Sequence, residues 1–311
     1  MHEISIKEFD GVKIGSAENL EAGTGCTVFI FPDGAPAGLS VRGGGPASRE
    51  SELLKPLASA EKIHAVLLSG GSAYGLDAAG GVMQYLEERK IGFNAGGIIV
   101  PLVCQSCLFD LTVGDGKIRP DKNMGYQACV NSEKNNYSDG NHGAGTGATV
   151  GKMRGMENCM KSGLGSYAVQ IGELKAGAVV ALNSLGDIFD WKTGKKIAGV
   201  RNAETDEIIY GGLKGFAWNT TLAIFMTNAK FSKSQLCKIS DMAHDGLARS
   251  IRPVHTSADG DSVYAASLGE IQANIDVVGC LAADVISEAI IKAVYSCESL
   301  YGYLSAKSFN K

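Results

Sequence analysis

Apolar residues along the chain fall into two kinds of pattern. Short continuous runs, Cys26 to Phe31 (CTVFIF), Ile63 to Leu68 (IHAVLL), Ala176 to Leu182 (AGAVVAL) and Thr221 to Met226 (TLAIFM), are bounded by glycines and polar turns. They predict strands. Three longer segments repeat at helical spacing. The first follows GGSAYG, with Leu76, Ala79, Met83 and Leu86 in step until Glu88, Arg89 and Lys90 close it. The second opens with Ser232 and Gln235 in capping-box spacing, carries Leu236, Ile239, Met242, Ala243 and Leu247 on one face, and stops before Pro253. The third runs from about Asp276 to Tyr301, with Val277, Leu281, Val285, Ala289 and Ala293 on the expected buried face and Asp284, Glu288 and Lys292 on the solvated one. Helices of this length need a sheet to cover, which predicts stacked sheets with helices outside them. Asn131 to His142 (NSEKNNYSDGNH) is the most polar stretch and is expected to be a loop.

The chain has 311 residues, 41 of them glycine. That is nearly twice the usual share of roughly 7%, and the glycines punctuate strands instead of forming spacers, so tight turns and close backbone approaches are expected. No composition shift or internal repeat divides the chain, and residues 1–311 read as one large α/β domain. A net charge of −4 without a basic cluster argues against nucleic acid as a partner. The first residues lack a secretory pattern and no apolar run approaches the roughly 20 residues of a membrane span, so no membrane partner and a cytoplasmic location are expected. Eight cysteines then read as reduced thiols. Cys104 and Cys107 form a CQSC that no second pair or nearby histidine completes, and a structural role is expected.

Several glycine-rich motifs invite chemistry that their spacing denies. Gly143 to Lys152 (GAGTGATVGK) is not a phosphate loop: Thr146 stands where the first glycine belongs, and Met153 where a hydroxyl residue would hold magnesium. Val150 likewise replaces the third glycine of a dinucleotide fingerprint. A close-packed turn or a main-chain substrate contact is the alternative. Gly70 to Gly75 (GGSAYG) has Tyr74 where a nucleophile elbow needs glycine, so Ser72 reads as a helix cap or pocket residue. His2, His64, His142, His244 and His255 form no catalytic or metal pattern. Asp259-Gly260-Asp261 puts two carboxylates beside a glycine just before a strand, which is a solvated turn or a pair of acids carried into a cleft.

Taken in order, GGSAYG with its helix, IIVPLVCQSCLFDL, GAGTGATVGK, NSLGDI after AGAVVAL, WNTTLAIFMTNA and GLARSIRPVHTSADGDSVYA resemble the L-aminopeptidase/D-esterase family, which includes β-peptidyl aminopeptidases. The resemblance covers nearly the whole chain. It implies a four-layer αββα sandwich like that of N-terminal nucleophile hydrolases, made as a precursor that cuts its own backbone. The cut would fall between Asn219 and Thr220, giving an α chain of 1–219 and a β chain of 220–311. Thr220 would then be nucleophile and N-terminus together, with Thr221 as its rival. A free α-amine has an ordinary pKa of about 7.7–8.0, so it can take the hydroxyl proton without a histidine.

By the same resemblance Asn183 would hold the oxyanion, and Ser72 and Tyr74 would lie near the substrate. Family members carry a Ser-x-Glu pair where this chain has Asp259-x-Asp261. That departure is expected to raise the amine pKa and shift the pH optimum upward. The implied substrate is a short peptide, amide or ester that loses its N-terminal residue, the implied assembly a homo-oligomer, and no metal or organic cofactor is implied. A non-cleaving binding or structural protein on the same fold is the alternative reading.

Overall fold

The computed structural model describes residues 1–201, 203–211 and 219–309. Its centre is two sheets packed face to face. One has five strands, β2 (Lys13–Asn19), β3 (Thr24–Ala35), β6 (Ile63–Ser69), β7 (Val103–Cys107) and β5 (Ala47–Arg49), paired in the order β2-β3-β6-β7-β5. The other has six: β1 (His2–Ile4), β8 (Leu164–Ile171), β9 (Leu174–Asn183), β10 (Thr220–Ala229), β11 (Ser262–Ile271) and β4 (Ala37–Val41), in the order β1-β8-β9-β10-β11-β4. β10 pairs antiparallel with β9 and parallel with β11.

The four apolar runs read from the sequence lie within β3, β6, β9 and β10. Both faces of these strands are covered, which explains why their apolar residues are continuous and do not alternate. Val179, Ala181, Leu222, Ile224, Met226 and Tyr264 point between the sheets and meet Phe29, Phe31, Val66 and Leu68. Their sequence neighbours Val180, Leu182, Ala223, Phe225 and Val263 point outward, under helices α3 (Lys233–Ser250) and α4 (Ile275–Ser296). The far face of the five-stranded sheet is covered by α1 (Ala78–Glu88) and α2 (Lys122–Ser132). The layers are therefore helix, sheet, sheet, helix, as the sequence resemblance implies. Each fully buried Leu, Ile or Phe in these layers contributes about 1.5–3 kcal/mol.

Three details differ from the sequence reading. α2 was not foreseen: it is short, weakly amphipathic and interrupted by Gly125. That glycine is what seats it, because a Cβ at Gly125 would lie 2.0 Å from the carbonyl oxygen of Ala78, and one at Gly81 of α1 would lie 1.8 Å from that of Lys122. The two helices touch backbone to backbone, and α2 takes in Asn131 and Ser132 from the segment expected to be loop. α4 stops at Ser296, short of Tyr301, and its buried face keeps the expected Val285, Ala289 and Ala293 but turns from the expected line in its first turns. Val277 is exposed while Val278, Ala282, Val285, Ile286, Ala289 and Ile290 form the stripe. Among the described residues no helix is long and apolar enough to cross a membrane.

Candidate active site

Strand alternation decides which side chains share a space at the start of β10. Even-numbered residues of β10 face the inter-sheet layer, so Thr220 does too, and odd-numbered residues of β9 do the same, so Asn183 joins it. The two are register partners across the ladder. Thr220 is buried at the edge of a cavity of about 430 Å³ that also meets Asn219, Ser72, Tyr74, Cys107 and Phe109. Thr221 faces the other way, and its hydroxyl is buried without a hydrogen-bond partner among the described residues. The geometry thus places Thr220, and not its rival, at the cavity.

The Thr220 hydroxyl donates to the carbonyl oxygen of Asn219 at 2.5 Å. That oxygen also accepts the backbone N–H of Gly260 at 2.8 Å. The Asn219–Thr220 peptide is therefore polarised from one side and has a hydroxyl folded back upon it. Gly260 must be glycine here, since a Cβ would stand 2.5 Å from the threonine oxygen. Trp218, Gly212 and Gly215, which the sequence places before this bond, lie outside the described residues.

Asn183 is held by its surroundings in one orientation. Its Oδ1 accepts from Lys152 Nζ at 2.7 Å and from the Thr149 N–H at 3.1 Å, while its Nδ2 donates to the Phe109 carbonyl at 2.9 Å. These partners fix which end is the amide nitrogen. Nδ2 keeps a second N–H, a donor suited to an oxyanion. Lys152 is fully buried, and burial pulls its ammonium down to about 7. It is thus a base available near neutral pH. The sequence reading met Lys152 only as the end of a failed phosphate loop. In the structure that loop is a buried turn whose glycines touch other backbone: a Cβ at Gly145 would lie 2.2 Å from the Leu164 nitrogen, and one at Gly147 2.1 Å from the Gly23 carbonyl.

The two aspartates lie behind Thr220. Asp261 Oδ1 accepts the N–H of Thr221 at 2.7 Å. Asp261 therefore holds the peptide group that follows Thr220. Asp261 Oδ2 accepts both the ring Nδ1–H of His255 at 2.8 Å and its backbone N–H at 3.1 Å. Asp259 bridges to Asn219 in the ladder and accepts the Thr256 N–H at 2.7 Å. Burial first, and then the neighbouring Asp261, push the Asp259 carboxyl well above the usual carboxylate range.

Ser72 and Tyr74 line the cavity, but Ser72 is no helix cap. Gly71 holds the cap position at φ 83° and Ser72 follows at φ 52° in a 3-10 turn, Ser72–Asp77. The turn is tied down by Asp110, whose carboxylate accepts from Gly71 N–H and the Thr24 hydroxyl, each at 2.7 Å. Burial raises Asp110 to about 6. The Arg119 guanidinium lies 3.7 Å over the Tyr74 ring at the exposed rim. Cys104 and Cys107 are buried free thiols in β7, and burial pushes Cys104 up to about 12. His64 lies in β6, and burial lowers it. Among the described residues no group of three or more His, Cys, Asp or Glu side chains could hold a metal ion.

Sequence reasoning missed Lys152 and Asp110 because their partners lie 31 or more residues away, and His255 because nothing in its spacing from Asp261 marks the contact. A lysine inside the apolar stretch Ala148 to Met153 was the one local signal.

Comparison with known proteins bears on the fold and the family. An uncharacterized aminopeptidase of Mycobacterium leprae is 36% identical over 96% of this chain and 92% of its own. The 6-aminohexanoate-oligomer endohydrolase of a Kocuria strain is 28% identical over 92% of this chain and 84% of its own. Among solved structures, the L-aminopeptidase D-Ala-esterase/amidase of Ochrobactrum anthropi, described as a variant of the Ntn hydrolase fold, superposes with a TM-score of 0.73 at 17% identity, over 95% of this chain and 87% of that one. A Burkholderia β-aminopeptidase gives 0.71 at 18% identity, over 97% and 90%. The two-sheet sandwich is thus that of Ntn-type aminopeptidases, and the family profile of peptidase family S58 matches residues 5–307. With nearly its whole length matched, the chain belongs to peptidase family S58 and is a hydrolase of the aminopeptidase type.

Proposed function

We propose that this chain cuts itself between Asn219 and Thr220 and then works as an N-terminal-threonine hydrolase, releasing the N-terminal residue of short peptides, amides or esters. The observation that carries the reading is the Thr220 hydroxyl, 2.5 Å from the carbonyl oxygen of the residue before it, at the edge of a cavity and opposite Asn183.

In the first step the hydroxyl oxygen attacks the Asn219 carbonyl carbon. The C–N bond breaks, its nitrogen takes a proton and becomes the free amine of Thr220, and water opens the ester. No α-amine exists before this cut, so another base must accept the hydroxyl proton. Lys152, brought near neutrality by burial, supplies it. The Gly260 N–H supports the developing oxyanion.

In turnover the new amine takes the hydroxyl proton and returns it to the leaving group, while Asn183 Nδ2 stabilises the tetrahedral oxyanion. Asp259, once ionised, favours the protonated amine and moves the optimum to the alkaline side. The names of the relatives define a substrate panel of L-amino acid, β-amino acid and 6-aminohexanoate amides. A cytoplasmic homo-oligomer of αβ units accompanies this reading.

Intact mass under denaturing conditions, with N-terminal sequencing, tests it. The expected result is two fragments, 1–219 and 220–311, the second beginning Thr-Thr-Leu-Ala-Ile-Phe. A chain that stays whole returns the protein to the non-cleaving alternative.

A further inference from the structure

Asp261 has two oxygens, and the fold uses them for different purposes. Oδ1 takes the Thr221 N–H, the peptide group next to the nucleophile. Oδ2 takes His255 twice, through the ring and through the backbone. An ionised carboxylate only accepts hydrogen bonds, so the proton of the His255 ring must be on Nδ1. We propose that His255 is a positioning residue for the nucleophile, acting through Asp261: its ring N–H occupies one carboxylate oxygen and so keeps the other on the start of β10. The inference rests on the reading that the Asn219–Thr220 bond is cut.

The surroundings of His255 support this role. Its ring stands edge-on to His244 of α3, with centroids 4.7 Å apart and planes at 76°. His244 is itself oriented, because its Nε2–H donates to the Ser40 carbonyl at 3.0 Å. Burial pulls His244 down to about 4, so it adds no positive charge beside the His255 ring. The guanidinium of Arg42 is engaged elsewhere, on the Asp241 carboxylate at 2.5 Å, while its backbone N–H holds the Asp261 carbonyl at 3.1 Å. His255 sits at φ 57°, a conformation that suits Asn and Gly better than His. Without the ring N–H, Oδ2 keeps only the longer bond from the His255 backbone N–H, so the carboxylate is held less firmly, and the geometry at a reacting centre is sensitive to small shifts.

The test follows fragment appearance by intact mass in a cell-free synthesis and chase of the full chain, comparing wild type with His255→Gly and His255→Asn. Glycine tolerates the backbone but removes the donor. Asparagine tolerates it and places an amide N–H close to the position of Nδ1. The expected result is cleavage slowed by about tenfold to a hundredfold in His255→Gly. His255→Asn should recover to within about threefold of wild type. Thermal melts report folding of each variant.

Should His255→Gly fail to fold, His255→Asp replaces it, having the size of asparagine without its donor, and is expected to be the slower of the two. Cleavage of His255→Gly at the wild-type rate overturns the inference alone. So does a folded His255→Asn as slow as His255→Gly or His255→Asp. A wild-type chain that never cuts overturns the proposed function and this inference with it.

Discussion

The start of β10 can be viewed from its two faces. Toward the other sheet stand Thr220, Asn183 and the cavity, where every group has a donor, an acceptor or a proton available for reaction. Toward the helices stand the Thr221 side chain, whose hydroxyl has no partner among the described residues, and Asp261, His255 and His244, which are tied to one another or to nearby backbone; none of these lines the cavity. A single peptide step separates the face proposed to react, the reacting face, from a holding face. On that proposal one strand end is rigid and reactive together, because the alternation of side chains assigns the two tasks to opposite sides.

Changes on the reacting face should have the largest effects. Thr220→Ala removes the attacking oxygen, and the expected outcome is a chain that remains whole by intact mass. Lys152→Met removes the base proposed for the first cut, with cleavage expected to slow by about 10²–10⁴. In wild type the rate of that cut should rise with pH through about 7 and then level off, because neutral Lys152 is the form that accepts a proton. A rate independent of pH across that range would remove Lys152 from the mechanism.

Asn183→Ala leaves the hydroxyl in place but takes away the Nδ2 donor. In matured enzyme kcat is expected to fall by about 10²–10³, read on the amide panel. On the holding face, Thr221→Val should have the smallest effect. It preserves the backbone N–H on Asp261 and removes a buried hydroxyl that has no partner, so the cut proceeds and stability in urea changes by less than about 1 kcal/mol. If Thr221→Val abolished the cut, the assignment of faces would be reversed.

The strands of this comparison were legible in the sequence because burial on both sides makes them continuous apolar runs. Three of the four main helices were legible because their faces repeat. α2 was not, since its seat depends on Gly125 and Gly81 meeting backbone from another helix, and a glycine carries no sign of what it touches. Thr220, Asn183, Asp259 and Asp261 could be named only through resemblance to a family, for nothing in NTT or DGD distinguishes a site from a turn. Lys152 and His255 escaped because their meaning lies in burial and in partners 31 and 6 residues away. A lysine at the end of a glycine-rich loop suggests phosphate until its ammonium is found on Asn183.

The order of the six-stranded sheet has one more consequence. Cleavage at Thr220 would leave β10 and β11 on the new fragment, while β9 on one side and β4 on the other stay with the old one. The short fragment would be clamped between strands of its former chain, so the halves should elute together and separate only in denaturant. Unfolding would then release one more body than unfolding of the uncut chain, and the melting midpoint of the matured protein should rise more steeply with its concentration than that of Thr220→Ala.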